Sequence, residues 1–138
     1  MWGLYNNHEG FVLGFDTSCC SFKELGEPMK VDYFPHRPVY DPVKGAKGFW
    51  YQKEVRWQFE NEWRISRRPD ACKQRTIGGT TIHLCRISRD CIAKVYVGLR
   101  ANKALEDQLS AALENSKTQL FRATLKPGAS AISFQCLR

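Results

Sequence analysis

The sequence predicts an α+β fold, a mostly antiparallel sheet of five to seven strands with one clear helix at about 103–114 and one or two short helices. Three observations carry that prediction. Short apolar or alternating runs recur along the chain, helical spacing is clear in one late stretch, and the last two strand-like runs are separated only by a tight turn, which favours antiparallel pairing. The 138 residues are read as a single domain. With 43% apolar residues, four Trp and eight Phe, they have area enough to bury a core.

Phe11-Val12-Leu13-Gly14-Phe15 is a short apolar strand entered through Gly10 and left through Asp16-Thr17-Ser18. Lys30 to Phe34 is a second strand. Residues 35–48 hold three prolines and two glycines and read as a long loop, a candidate lid or binding loop. Phe49 to Arg56 is a short helix feeding the segment Trp57-Gln58-Phe59-Glu60-Asn61-Glu62-Trp63-Arg64-Ile65. On a strand, Trp57, Phe59, Trp63 and Ile65 would share an apolar face with Asn61 among them, while Gln58, Glu60, Glu62 and Arg64 line the other. The two carboxylates would stand about 7 Å apart, a local cost unless cations or a ligand answer them.

Arg64, Arg67, Arg68, Lys73 and Arg75 follow, opposed by the single acid Asp70 and interrupted by Pro69. This is read as an exposed basic loop, with Arg67, Arg68, Lys73 and Arg75 as candidate phosphate or nucleic-acid contacts. Thr80 to Ile87 alternates as a strand, and Ile92 to Gly98 does so more clearly. Gly78-Gly79 is an ordinary turn. Asn102 is a helix N-cap, and Leu105, Leu109, Ala112 and Leu113 recur at helical spacing after it. Thr118 to Leu125 and Ala131 to Leu137 are strands joined by the turn Lys126-Pro127-Gly128-Ala129.

A net charge of +7 draws the chain toward polyanions without conferring specificity. The six cysteines, Cys19, Cys20, Cys72, Cys85, Cys91 and Cys136, contain no C-x-x-C, so free thiols and no metal site are expected. No apolar run of about 18 residues and no signal-peptide pattern is present, so the expected location is cytoplasmic, with no membrane partner.

Glu60 and Glu62 are the leading catalytic candidates, since neighbouring carboxylates can hold different proton affinities and divide acid–base from electrostatic work. The alternative is an ion-paired sheet face without function. Arg64 is the candidate anion ligand beside them. His8, between Asn6-Asn7 and Gly10, is a candidate ligand-orienting group or simply a turn histidine. Gly78-Gly79 is too short for a nucleotide fingerprint, and no nucleophile elbow is present.

Two clusters resemble one family. Trp2-x-x-Tyr5, His8-x-Gly10 and Gly14-Phe15 resemble the W-x-x-Y...H-x-G...G-F opening of a bacterial group known as domain of unknown function 2971. Lys53-x-x-x-Trp57-x-Phe59-Glu60-x-Glu62-Trp63-Arg64 resembles its K-x-x-x-W-x-[YF]-E-x-E-W-R signature, and Val95-Tyr96-Val97-Gly98 a later V-x-x-G strand. Leu4 departs from a histidine often found there, and the Tyr5 to His8 interval is one residue short. Family members are usually longer, with an N-terminal half carrying an asparagine-aspartate-proline motif that is absent here. The resemblance thus implies a C-terminal portion of a longer family domain, a mobile-element or defence context, and Tyr5 and His8 as ligand-binding candidates beside Arg64. The Glu60-x-Glu62 segment is also similar to the E-x-E strand of ADP-ribosyltransferases, which implies NAD as a cofactor; the residues themselves call for none.

Two functions follow as expectations. The first is a nucleotide-binding or ADP-ribosyltransferase-like half-domain using Glu60 and Glu62 in a cleft beside the strand carrying Phe11 to Phe15, with catalysis by this chain alone doubtful. The second is a non-catalytic basic module for nucleic acid or protein, or an oligomerising remnant; a homo-oligomer is expected, since uncovered edges find partners.

Overall fold

The computed structural model describes residues 6–43, 45–128 and 131–138; the expected roles of Trp2, Leu4 and Tyr5, and Ala129 of the expected turn, lie outside them. In chain order the elements are β1 (Phe11–Phe15), α1 (Cys20–Lys23), β2 (Met29–Lys30), β3 (Asp32–Phe34), α2 (Gly45–Trp50), β4 (Gln52–Glu54), β5 (Trp63–Arg64), β6 (Lys73–Ile77), β7 (Thr80–Leu84), β8 (Ile92–Val97), α3 (Lys103–Ala112), β9 (Gln119–Leu125) and β10 (Ile132–Cys136). The fold is α+β, with mostly antiparallel strand pairs. The strands are shared among one four-stranded sheet and three two-stranded ribbons. The contacts also divide the chain read as one domain into two compact units, one joining the stretch up to Phe22 to Ile87–Arg138 and the other spanning Lys23–Arg86.

The first unit is a sheet in the order β1-β8-β9-β10 with α3 on one face. Asn102 caps α3 as expected, its side-chain oxygen accepting from the Leu105 amide at 2.8 Å. Helical spacing then turns Leu105 and Leu109 onto a buried cluster of Val95, Val97, Ala101, Leu113 and Leu120. Because α3 crosses over between them, β8 and β9 run parallel, whereas β9 and β10 form the expected antiparallel pair. Glu106 on α3 is gripped by Lys103 and by Arg122 of β9. Cys19 and Cys91 form a disulfide, which corrects the expectation of free thiols at these two positions. The backbone pairing of Asp16 N–H with Cys91 O at 2.8 Å brings them together, a contact invisible to a count of C-x-x-C motifs.

Two resembling motifs meet in this unit as packing. The Arg100 amide donates to the His8 carbonyl at 2.9 Å and the Gly98 amide to that of Gly10 at 2.8 Å. A Cβ at Gly98 would stand 2.1 Å from the His8 oxygen, so only glycine allows this approach.

In the second unit, Met29 to Phe34 is extended and pairs twice. β2 is antiparallel to β5, and β3 is parallel to β4. Val31 lies between the two pairings and is 1% exposed. β6 and β7 form an antiparallel hairpin whose turn, Gly78-Gly79, has two positive φ angles of 56° and 79°, the geometry that glycine pairs supply in two-residue hairpins. Lys73 and Arg75, expected on a basic loop, therefore sit on β6.

Candidate functional site

The expected nine-residue strand is not there, and this is the main correction. Val55–Glu60 coils as a 3-10 helix that ends at Asn61 in the left-handed region, φ 44° and ψ 51°; only Trp63–Arg64 is strand. Asn tolerates that conformation better than other non-glycine residues. Exposure departs from the expected faces as well. Phe59 and Trp63 are 51% and 59% exposed, whereas Glu60 is 8% exposed and Glu62 and Arg64 are half-buried.

The coil nevertheless brings the two carboxylates together, by a different route. The turn at Asn61 folds Glu60 and Glu62 back onto Lys53 of β4. Lys53 Nζ donates to Glu60 Oε2 and, at 3.1 Å, to Glu62 Oε2. Arg64 closes the network from β5, with Nε 2.6 Å from Glu62 Oε1 and a terminal nitrogen 3.0 Å from Oε2, the two-pronged geometry its guanidinium favours. Its other terminal nitrogen donates to the Trp50 carbonyl at 2.6 Å. The Glu62 amide donates to the Tyr33 hydroxyl at 2.8 Å, fixing the chain where β3 runs beside β4.

The charges respond to this arrangement. Arg64, by hydrogen bonding, holds Glu62 below the usual carboxylate range against the opposing effect of burial, with Lys53 adding to Arg64. Burial pulls Lys53 down, but its bonds to Glu60 and Glu62 outweigh burial and raise it. Arg64 is raised by Glu62 in turn.

Above the network lies an open cleft of about 490 Å³ lined by Arg37, Lys53, Arg56, Arg64, Phe49, Trp50 and Trp57 among others. Four cations, one carboxylate, Glu54, and three rings converge there. Lys53 Nζ stands 5.1 Å and Arg56 Cζ 5.7 Å from the centre of the Trp57 ring, within the range of cation–π attraction. Trp57, expected on an apolar strand face, is thus a cleft wall. Trp50 is 56% exposed and meets Phe49 edge-on. Arg56 pairs with Glu54 at 3.0 Å, while among the described residues no carboxylate pairs with Arg37. A larger hollow in the first unit, about 1070 Å³, has Asp16 and Asp90 against Arg89 and Lys117 and no aromatic wall, so its formal charges cancel and it has no stacking surface.

The other expected site residues are dispersed. His8 belongs to the first unit and uses its carbonyl in backbone pairing. Arg67 donates to the Leu25 carbonyl at 3.4 Å. Arg68 pairs with Asp70 at 2.8 Å, and Lys73 and Arg75 are exposed. Sequence reasoning missed Arg37, Trp50, Arg56 and Lys53 as site residues. Of these, only Lys53 had a signal, as the first residue of the resembling signature. Among the described residues, no group of three or more His, Cys, Asp or Glu side chains is placed to hold a metal ion, and no helix is long and apolar enough to cross a membrane.

No family model, curated protein or solved structure matches the chain.

Proposed function

We propose that the second unit binds a nucleotide, with phosphate on Arg37 and Arg56, the base on Trp50, and Glu60 and Glu62 acting as holders of Lys53 and Arg64 rather than as acid–base catalysts. The observation that carries this reading is the cleft in which four cations and three aromatic rings share one surface. Phosphate takes charge-assisted hydrogen bonds from guanidinium groups, and any base offers a ring face for stacking. NAD and ADP both carry those features. Kinship with the domain of unknown function 2971 family, and with it a mobile-element or defence setting, belongs to the same proposal and rests on the Trp57 to Arg64 signature.

Titration of tryptophan fluorescence tests it. ADP and NAD should quench and adenosine should quench less; Arg37→Ala should weaken ADP binding by about 10-fold or more, the loss of one charge-assisted bond. Equal responses to ADP and adenosine would remove the phosphate site. NAD hydrolysis by the wild type that Glu62→Gln abolishes would replace binding by catalysis.

A second reading is favoured by the hairpin, where Lys73 and Arg75 alternate along one face of β6, a shape that fits the major groove of a duplex. Contact with nucleic acid through Arg67, Arg68, Lys73 and Arg75 predicts affinity that falls steeply with salt. A homo-oligomer formed through the sheet edges at β1 and β10 is proposed too, and light scattering showing a monomer at high concentration would reject it. We place the protein in the cytoplasm. The Cys19–Cys91 bridge is the feature at odds with a reducing compartment, and acid trapping of thiols from cells decides: recovery of the bridge intact would reject the cytoplasm.

A further inference from the structure

The β6–β7 hairpin carries a second cysteine pair with a different character from the bridge in the first unit. Lys73 stands opposite Leu84 in the ladder, so Cys72 and Cys85 are the next pair outward, and their sulfurs lie 3.1 Å apart. A disulfide bond is about 2.05 Å long, so about 1 Å of approach separates contact from bond. The Gly78-Gly79 turn fixes the register, which makes the juxtaposition a property of the fold. Cys85 is exposed and Cys72 partly so, so a small oxidant can reach them. The hydrogen bond with Cys85 lifts the Cys72 thiol above its ordinary range, so the reaction should quicken as the pH rises.

We propose that Cys72 and Cys85 form a redox-responsive dithiol, closed to a cross-strand disulfide by a peroxide or by a low-molecular-weight disulfide. With oxidised glutathione the chemistry is two exchanges. One cysteine thiolate attacks the glutathione disulfide, forming a mixed disulfide and expelling one glutathione thiolate. The second cysteine, as thiolate, then attacks the protein sulfur of the mixed disulfide and expels the other. Two protons leave the cysteines and two glutathione thiols take them up, so the hairpin is oxidised by two electrons and the glutathione reduced by two. With a peroxide, a sulfenic acid forms first and the second thiol displaces water from it. Closure ties the base of the hairpin beneath Lys73 and Arg75; reduced glutathione reverses it.

The test is treatment of the full chain with oxidised glutathione, alkylation, and tryptic mapping without reduction. The Cys72 peptide should be recovered joined to the Cys85 peptide, lighter than their sum by two hydrogens. The joined form should exceed the doubly glutathionylated form by on the order of 10-fold, because the second thiol is held beside the first. Cys20 and Cys136 should carry separate glutathione adducts. Cys85→Ser should stop at a glutathione adduct on Cys72, and Cys72→Ser at one on Cys85. Independent adducts on Cys72 and Cys85 in the wild type, links from either to Cys20 or Cys136, or links between chains would each overturn the proposal.

Discussion

The two units are stabilised by different means. In the first, Val95, Val97 and Leu120 are 2% exposed or less beneath α3, and removal of apolar area from water holds sheet to helix. In the second, Val31 and Tyr51 are the only buried apolar residues among those described, while buried Glu60 and partly buried Glu62 are tied to Lys53 and Arg64. One unit relies on area, the other on charge arrangement. Charge networks repay their desolvation only when geometry is good, so small changes in charge should alter local order in the second unit. Binding surfaces are commonly drawn from such regions.

The largest single effects should come from cutting each support. Leu120→Ala removes a side chain that is 0% exposed and should cost about 3 kcal/mol in denaturant unfolding, with faster amide exchange in β8 and β9. Lys53→Met leaves Glu60, whose side chain is 6% exposed, without its lysine partner. Breaking a buried pair costs 3–5 kcal/mol; with Lys53 at 23% exposure, about 2 kcal/mol is expected. Exchange should then rise in β4 and β5. If Lys53→Met leaves β4 exchange unchanged, the network is not what holds the second unit.

The same contrast explains what could be read from the sequence. β8, β9 and the capped helix α3 were legible because apolar periodicity there is the force that holds them, as Leu105 and Leu109 against Val95 show, whereas β1 and β10, whose residues are mostly exposed, were legible from their apolar runs and bounding turns. The central segment of the second unit was misread because its periodicity is not what shapes it. Trp57, Phe59 and Trp63 alternate as a strand would, yet the backbone follows Asn61 into the left-handed region. Asn61 was the one polar residue on the expected apolar face, and that mismatch was the signal. Glu60 and Glu62 were rightly singled out as a pair needing an answer; Lys53, which supplies it, is seven residues from Glu60 in sequence and was marked only as the first residue of the resembling signature.

A smaller effect sharpens the comparison at Asn61. Asn61→Val places a β-branched residue at φ 44°, which should cost about 1–2 kcal/mol, while Asn61→Gly should cost little. Both variants keep every charge, so a loss of ADP binding in Asn61→Val that Asn61→Gly escapes would show that backbone geometry sets the cleft. Equal binding by both would leave the charges alone responsible.

Acid should separate the units most finely, because each contains a carboxylate held below its ordinary range. Glu62 is held down by Arg64 first, with Lys53 adding to it, and Glu106 by Lys103 and then Arg122. For both, the folded value lies below the unfolded one, so their stabilisation is fully present above about pH 4.3, the ordinary glutamate value. It is lost as pH falls through the depressed folded values. Protection against amide exchange, taken relative to the intrinsic rate at each pH, should therefore stay flat down to that point and then fall in β5 and in α3. Glu62→Gln should remove the acid response of β5 and leave that of α3; Glu106→Gln should do the reverse. The two responses should be alike in form, because each carboxylate is held by an arginine and shares a lysine with a second acid: Glu62 with Glu60 on Lys53, and Glu106 with Asp107 on Lys103. Protonating either one leaves its lysine with the other acid, so part of each network survives. A loss of protection in β5 that persists in Glu62→Gln would mean that Glu62 is not the group that carries it.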